Sequence, residues 1–170
     1  MELKNEKYAF LFEHAKASFE VELERFSSAE EKASKFISLL SIAIAAYGAS
    51  VALILERYLP IDSITEWLFV SFSALALMAL ASSWSLIFRS LNFIEMPRLP
   101  LNDETFNSFE KNNLATIHYS MAKTCQVATD IAREAVNSKF NLLRIAYTDI
   151  ILSAWSIFAS FLVLVLILIN

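Results

Sequence analysis

Three stretches of ~20 residues without a charged side chain decide what this chain can fold into. They run from Phe36 to Leu55 (FISLLSIAIAAYGASVALIL), from Trp67 to about Phe88 (WLFVSFSALALMALASSWSLIF) and from about Ile150 to Ile169 (IILSAWSIFASFLVLVLILI). A helix rises ~1.5 Å per residue, so each stretch matches the ~30 Å hydrocarbon core of a bilayer. A soluble core can bury one helix this apolar. Three of them in 170 residues would leave too little polar surface to cover them. With 56% hydrophobic residues and a single glycine, the composition leaves little material for turns, and long helices remain.

Lysine and arginine set the expected orientation. Lys4, Lys7, Lys16, Arg25, Lys32 and Lys35 precede the first stretch. The segment between the first two, Glu56 to Glu66, holds only Arg57. Arg89, Arg98, Lys111, Lys123, Arg133, Lys139 and Arg144 follow the second, so thirteen of fourteen basic residues share one side. The positive-inside rule makes that side cytoplasmic, with the amino terminus inside and Asn170 outside. Tyr58 and Trp67 suit an interfacial aromatic belt. A charged first ~35 residues differ from a cleavable signal peptide.

The rest reads as helix. Tyr8, Phe12, Ala15, Phe19, Leu23, Phe26, Ala33 and Ile37 recur at helical spacing, giving an amphipathic helix that leads into the first span. Ser28 with Glu31 is a capping-box pattern where this helix could restart. Pro97 and Pro100 are expected to end the second helix, and Asn102 or Asp103 to cap the next. The apolar face after them reads Phe106, Phe109, Ile117, Met121, Cys125, Ala128, Ala132, Ala135, Phe140 and Leu143. With no Gly or Pro beyond Leu101, the simplest reading is one helix of ~65 residues that ends as the third span.

The expected architecture is therefore an all-α membrane protein with three transmembrane helices and long cytoplasmic helical extensions forming a stalk or coiled-coil bundle. Its parts are a cytoplasmic amphipathic helix over 1–35 and a transmembrane hairpin over 36–91, with spans about 36–56 and 67–89. A cytoplasmic turn and long helix over 92–146 and a third transmembrane helix over 147–170 complete it. The two extensions must pair, within the chain as an antiparallel stalk or with other subunits, to cover their apolar faces.

Small and hydroxyl residues form a stripe in each span, and these are the candidate pore-lining or helix-packing positions. Span one carries Ser38, Ser41, Ala45, Gly48 and Ala52. Span two carries Ser71, Ala74, Ser82 and Ser85, interrupted by Met78. Span three carries Ser153, Ser156 and Ser160. The plain reading is close helix packing. The sharper one is a polar pore, which needs several copies, with span two as the lining helix and Glu56, Asp62, Glu66, Arg89 and Asp149 as mouth charges. Each charge also has an ordinary role: Ser63 with Glu66 is a capping box, and Arg89 can snorkel. Asp149 is expected to be hydrated or to meet Arg89 or Arg144.

Several chemistries find no support. A formal charge of −4 without a basic face argues against nucleic acid as a partner. The lone His14 and His118 lack a second ligand at metal spacing, and no cofactor site is expected. One cysteine, Cys125, allows no internal disulfide and reads as a small apolar residue. There is no Gly-rich phosphate loop, no HExxH and no Gly-flanked nucleophile, so no enzyme is expected. A small transporter would show paired intramembrane charges and broken helices, which are missing here.

The segment from Ala29 to Leu40, AEEKASKFISLL, resembles the acidic, Lys-Ala-Ser, then apolar pattern that precedes the first span in small membrane effectors of bacterial antiphage systems. The layout of amphipathic helix, membrane hairpin and long helix is similar to that of the SLATT family. The third span at the carboxyl end departs from that family's common two-span form. The resemblance implies an oligomer in the bacterial inner membrane that permeabilises or depolarises it when triggered, with a soluble sensor or effector protein as partner. A non-conducting membrane anchor or infection sensor that recruits such a partner is the alternative.

Overall fold

The computed structural model describes residues 2–58, 63–91, 96–99 and 102–169. Pro60, Asp62, Pro100 and Asn170, named above, lie outside them, as do the side chains of Lys4 and Tyr58. The protein is all-α: α1 Glu2–Tyr58, α2 Ile64–Ser90, α3 Asp103–Lys111 and α4 Leu114–Ile169. Three of these, α1, α2 and α4, are long and apolar enough to cross a membrane.

The helix ends follow from local chemistry. Ser63 and Glu66 close a reciprocal capping box that starts α2, satisfying two backbone donors that a helix start leaves free. Asn102 caps α3 by accepting from the Thr105 amide at 3.0 Å. Three expectations are corrected. α1 runs unbroken through Ser28 and Glu31, because helix on both sides leaves no free amide for a cap to satisfy. α2 stops at Ser90, ahead of Pro97, with the Leu91 amide turning back to the Ile87 and Phe88 carbonyls. The single helix expected beyond Leu101 is two helices. The break falls at Asn112 and Asn113, where Asn113 Oδ1 accepts from the Thr116 amide at 2.9 Å, an Asn side chain doing what a proline was expected to do.

The chain divides into two compact units. The first combines Met1–Glu30 with Phe93–Lys139. Its apolar centre is Phe19 against Ala128 and Ala132, with Leu23, Met96 and Leu99 around them. The buried Glu22 carboxylate accepts from Arg25 at 2.9 Å and from Arg133 at 3.2 Å. Lys139, 3% exposed, donates to Glu30 at 2.7 Å and lies 3.9 Å over the Phe26 ring. Partner numbers rise together along both helices, Phe12 with His118, Glu22 with Arg133 and Glu30 with Lys139. The two helices therefore run parallel here. The antiparallel stalk within the chain is thus corrected, because the chain reverses direction between α1 and α2 and again before α4.

The second unit combines Glu31–Asn92 with Phe140–Asn170. Its core is Ala33, Leu40, Leu80, Ile87 and Ala146, flanked by Ile37, Ile44, Tyr47, Ile150 and Ile157. On α2 the buried positions are Phe69, Ser73, Ala76, Leu80, Ser83, Ile87 and Ser90, with Ala79 beside them. Steps of four and three keep such positions on one seam when helices pack with a slight left-handed twist. Large apolar side chains point the other way: Leu39, Ile42, Leu53, Leu68, Leu75, Phe88, Trp155, Phe158, Phe161 and Leu166 are exposed. Hydroxyls inside and bulky apolar groups outside reverse the arrangement of a water-soluble domain. Only 11, 28 and 17% of the most apolar windows of the three helices are buried within the protein. This unit suits a lipid environment, and the chain is a multi-pass membrane protein.

Candidate functional site: a hydroxyl seam in the membrane unit

The second unit holds a set of buried hydroxyls. Ser73 and Ser83 come from α2, and Ser153, Ser156 and Ser160 from α4, all nearly inaccessible. Small side chains allow close approach between membrane helices. The α4 serines donate back into their own helix: Ser153 to the Ile150 carbonyl, Ser156 to Leu152 and Ser160 to Ile157. With the Ser160 proton committed, the Tyr47 hydroxyl of α1 is the donor in the 2.9 Å contact between the two. Ser83 contacts the carbonyls of Ala79 at 2.9 Å and of Ala146, across the seam, at 3.2 Å. Ser82 donates to Asp149 at 2.7 Å, so the half-buried Asp149, expected to be hydrated or to meet Arg89 or Arg144, has a serine hydroxyl as a partner.

Ser73 is the exception. It is 1% exposed and its hydroxyl has no hydrogen-bond partner within the protein. An unsatisfied buried hydroxyl costs about 1–3 kcal/mol, and its neighbour in sequence, Ser71, avoids this by donating to the Trp67 carbonyl.

The other candidate residues divide by face. Ser38, Ser41, Ala45 and Ala52 on α1, and Ser71, Ala74 and Ser82 on α2, are exposed, while Ser85 is half-buried. Gly48 is half-buried, and a Cβ placed there would meet nothing within 4 Å, so no neighbouring helix of this chain needs a glycine at that point. Ser38 and Ser41 donate to the carbonyls four residues back, and Ser41 also accepts from the Trp84 indole at 3.0 Å. Trp84 in turn stacks on Phe88, ring centres 5.3 Å apart. Of the mouth charges, Glu56 and Arg89 are exposed, Glu66 is engaged in the α2 cap and Asp149 in the Ser82 contact.

Sequence reasoning missed Ser73, Ser83 and Tyr47. The signal was the four-and-three spacing from Phe69 to Ser90, which competes with a second small stripe on the same helix.

The first unit offers less chemistry. Beside the seam of α1 and α4 lies a cleft of about 430 Å³, with His14, Tyr119, Lys123 and Arg133 among its walls. Arg133 is already committed to Glu22 and Asp130. The His118 ring lies tilted against that of Phe12, ring centres 5.9 Å apart. Among the described residues no three His, Cys, Asp or Glu side chains gather as a metal site would require. Burial pushes the Cys125 thiol above its ordinary range, with Lys16 opposing weakly.

No protein-family model, no curated protein and no solved structure matches the chain. The likeness to the SLATT family therefore rests on the Ala29–Leu40 segment and the order of helices alone.

Proposed function

We propose that this protein is a non-enzymatic membrane effector that assembles from several copies in the bacterial inner membrane and permeabilises or depolarises it when triggered. The observation that carries the reading is the outward placement of small residues on α1 and α2, Ser38, Ala45 and Ala52 with Ser71 and Ala74. Lipid-facing positions gain nothing from serine, whereas small residues let membrane helices of separate copies approach. By the positive-inside rule the amino terminus and the first unit face the cytoplasm, where a soluble partner delivers the trigger. The trigger must bind two arrangements of the assembly unequally to shift it.

A second reading, a non-conducting anchor that recruits a soluble protein, is favoured by exposed apolar side chains on the first unit: Phe10, Val21, Val127 and Ile131. A voltage-sensitive dye in bacteria separates the two. Membrane potential is followed after induction of the chain with its genomic neighbours and phage challenge, for the native protein and for Ser71→Leu/Ala74→Leu. The effector reading expects collapse of the potential in the first and not in the second. An intact potential alongside phage protection would leave the anchor.

A further inference from the structure

Among the described residues, the interior of the membrane unit contains one buried side-chain polar group whose needs the protein does not meet. Ser73 sits in the seam between α2 and its neighbours, 1% exposed, with no partner for its hydroxyl. Its level on α4 follows from contacts nearby. Ser82 meets Asp149 and Ser83 meets Ala146. The two helices are antiparallel, so nine or ten residues back along α2 correspond to as many forward along α4. Ser73 then lies level with residues 156–158, at the height of Ser156 and about one turn from Ser160, which accepts from Tyr47.

The hydrogen-bond capacities at this level complement one molecule. Ser156 and Ser160 have each spent their proton on a helix carbonyl and offer lone pairs to the interior. Ser73 has its proton and lone pairs free. Water both donates and accepts, and a buried water is held by two to four polar partners of this kind. A cation is a poor occupant, because the level holds no carboxylate and helix carbonyls are already engaged. We propose that Ser73, Ser156 and Ser160 form an internal water-binding site in the membrane unit, and that water follows this seam, rather than the outward serines, when the membrane is permeabilised. The second half rests on the effector reading above; the water site itself does not.

Two other observations fit. Next to the buried Ser83 lies the exposed Ser82, paired with Asp149, a polar group beside the seam to which solvent can be handed on. Ser83 of α2 meets Ala146 of α4, and the buried positions of the two helices include the small side chains Ser73, Ala76 and Ser153. Such side chains forfeit little dispersion energy when two helices part to admit water.

Silver ion tests this, because it is small, travels in water and binds thiols. Full-length Ser73→Cys, Ser156→Cys and Ser71→Cys are made in a Cys125→Ala background and reconstituted into liposomes. The membranes are exposed to silver, then denatured and labelled with maleimide to read which thiols silver protected. Dye leak is recorded from the same vesicles. Protection at 73 and 156, with 71 labelled in full, is the expected result, and it supports the water site whether or not the vesicles leak. Leaking vesicles in which 71 is protected and 73 and 156 are not would overturn the proposal while leaving the effector reading in place. Tight vesicles with 73 and 156 unprotected would overturn the water site. If Ser73→Cys fails to reconstitute, Ser156→Cys alone decides between these outcomes.

Discussion

At the residue scale the first unit is governed by charges held where charges are costly. Lys139 is almost fully buried, and its stabilisation comes from Glu30 and the Phe26 ring. Removing one member of such a pair strands the other. Glu30→Ala is expected to cost about 2–3 kcal/mol, below the range for a wholly buried pair because Glu30 is partly exposed. Lys139→Met, which removes the buried charge itself, should stay within about 1 kcal/mol of the native protein. Unfolding of the two variants in matched detergent measures both, and equal losses would show that the pair is not what holds this contact. Cys125 gives a second check. A thiol pushed up by burial carries less thiolate at neutral pH, and the thiolate is the reactive form. Folded protein should resist iodoacetamide at pH 7 and react on denaturation; prompt alkylation of the folded state would contradict the buried placement. At the opposite extreme, Lys35 holds the exposed Glu31 carboxyl below its usual range. Any stability from that contact is present above the ordinary carboxylate pKa and fades as pH falls through the lowered one.

At the element scale the sequence was legible where polarity contrasts were strong. The three membrane helices, the Ser63–Glu66 cap, the Asn102 cap and the apolar face of α1 from Tyr8 to Ile37 follow directly from spacing and side-chain chemistry. It was not legible where contrast vanished. On α2 both the packed and the outward face mix small and apolar residues, so periodicity could not choose between Ser71, Ala74, Ser82 and Ser85 and the seam of Ser73, Ala76, Ser83 and Ser90. The break before α4 was hidden because it uses an asparagine, not a glycine or proline. The packed and outward faces differ in what they tolerate. Ser153→Leu forces bulk into the seam and should destabilise by about 1–3 kcal/mol. Ser71→Leu, facing outward, should leave the stability of the single chain within about 0.5 kcal/mol. Thermal unfolding followed by helical circular dichroism compares them, and a Ser71→Leu loss as large as that of Ser153→Leu would mean the faces are assigned the wrong way round.

At the scale of the whole molecule, the proposed function depends on an odd number of crossings. Three spans would put the two termini on opposite sides of the bilayer, and the proposed orientation, drawn from the distribution of lysine and arginine, has the amino terminus inside. The proposed trigger, the accessibility of the first unit to soluble partners and the direction in which the hydroxyl seam opens all inherit that arrangement. The measurement that tests it most directly is a reporter at each end of the full-length chain in bacteria. Green fluorescent protein folds in the cytoplasm, and alkaline phosphatase is active only outside it. The account predicts fluorescence from an amino-terminal fusion, together with phosphatase activity and no fluorescence from carboxyl-terminal fusions. Fluorescence from both ends would mean an even number of crossings and would contradict the three-span account.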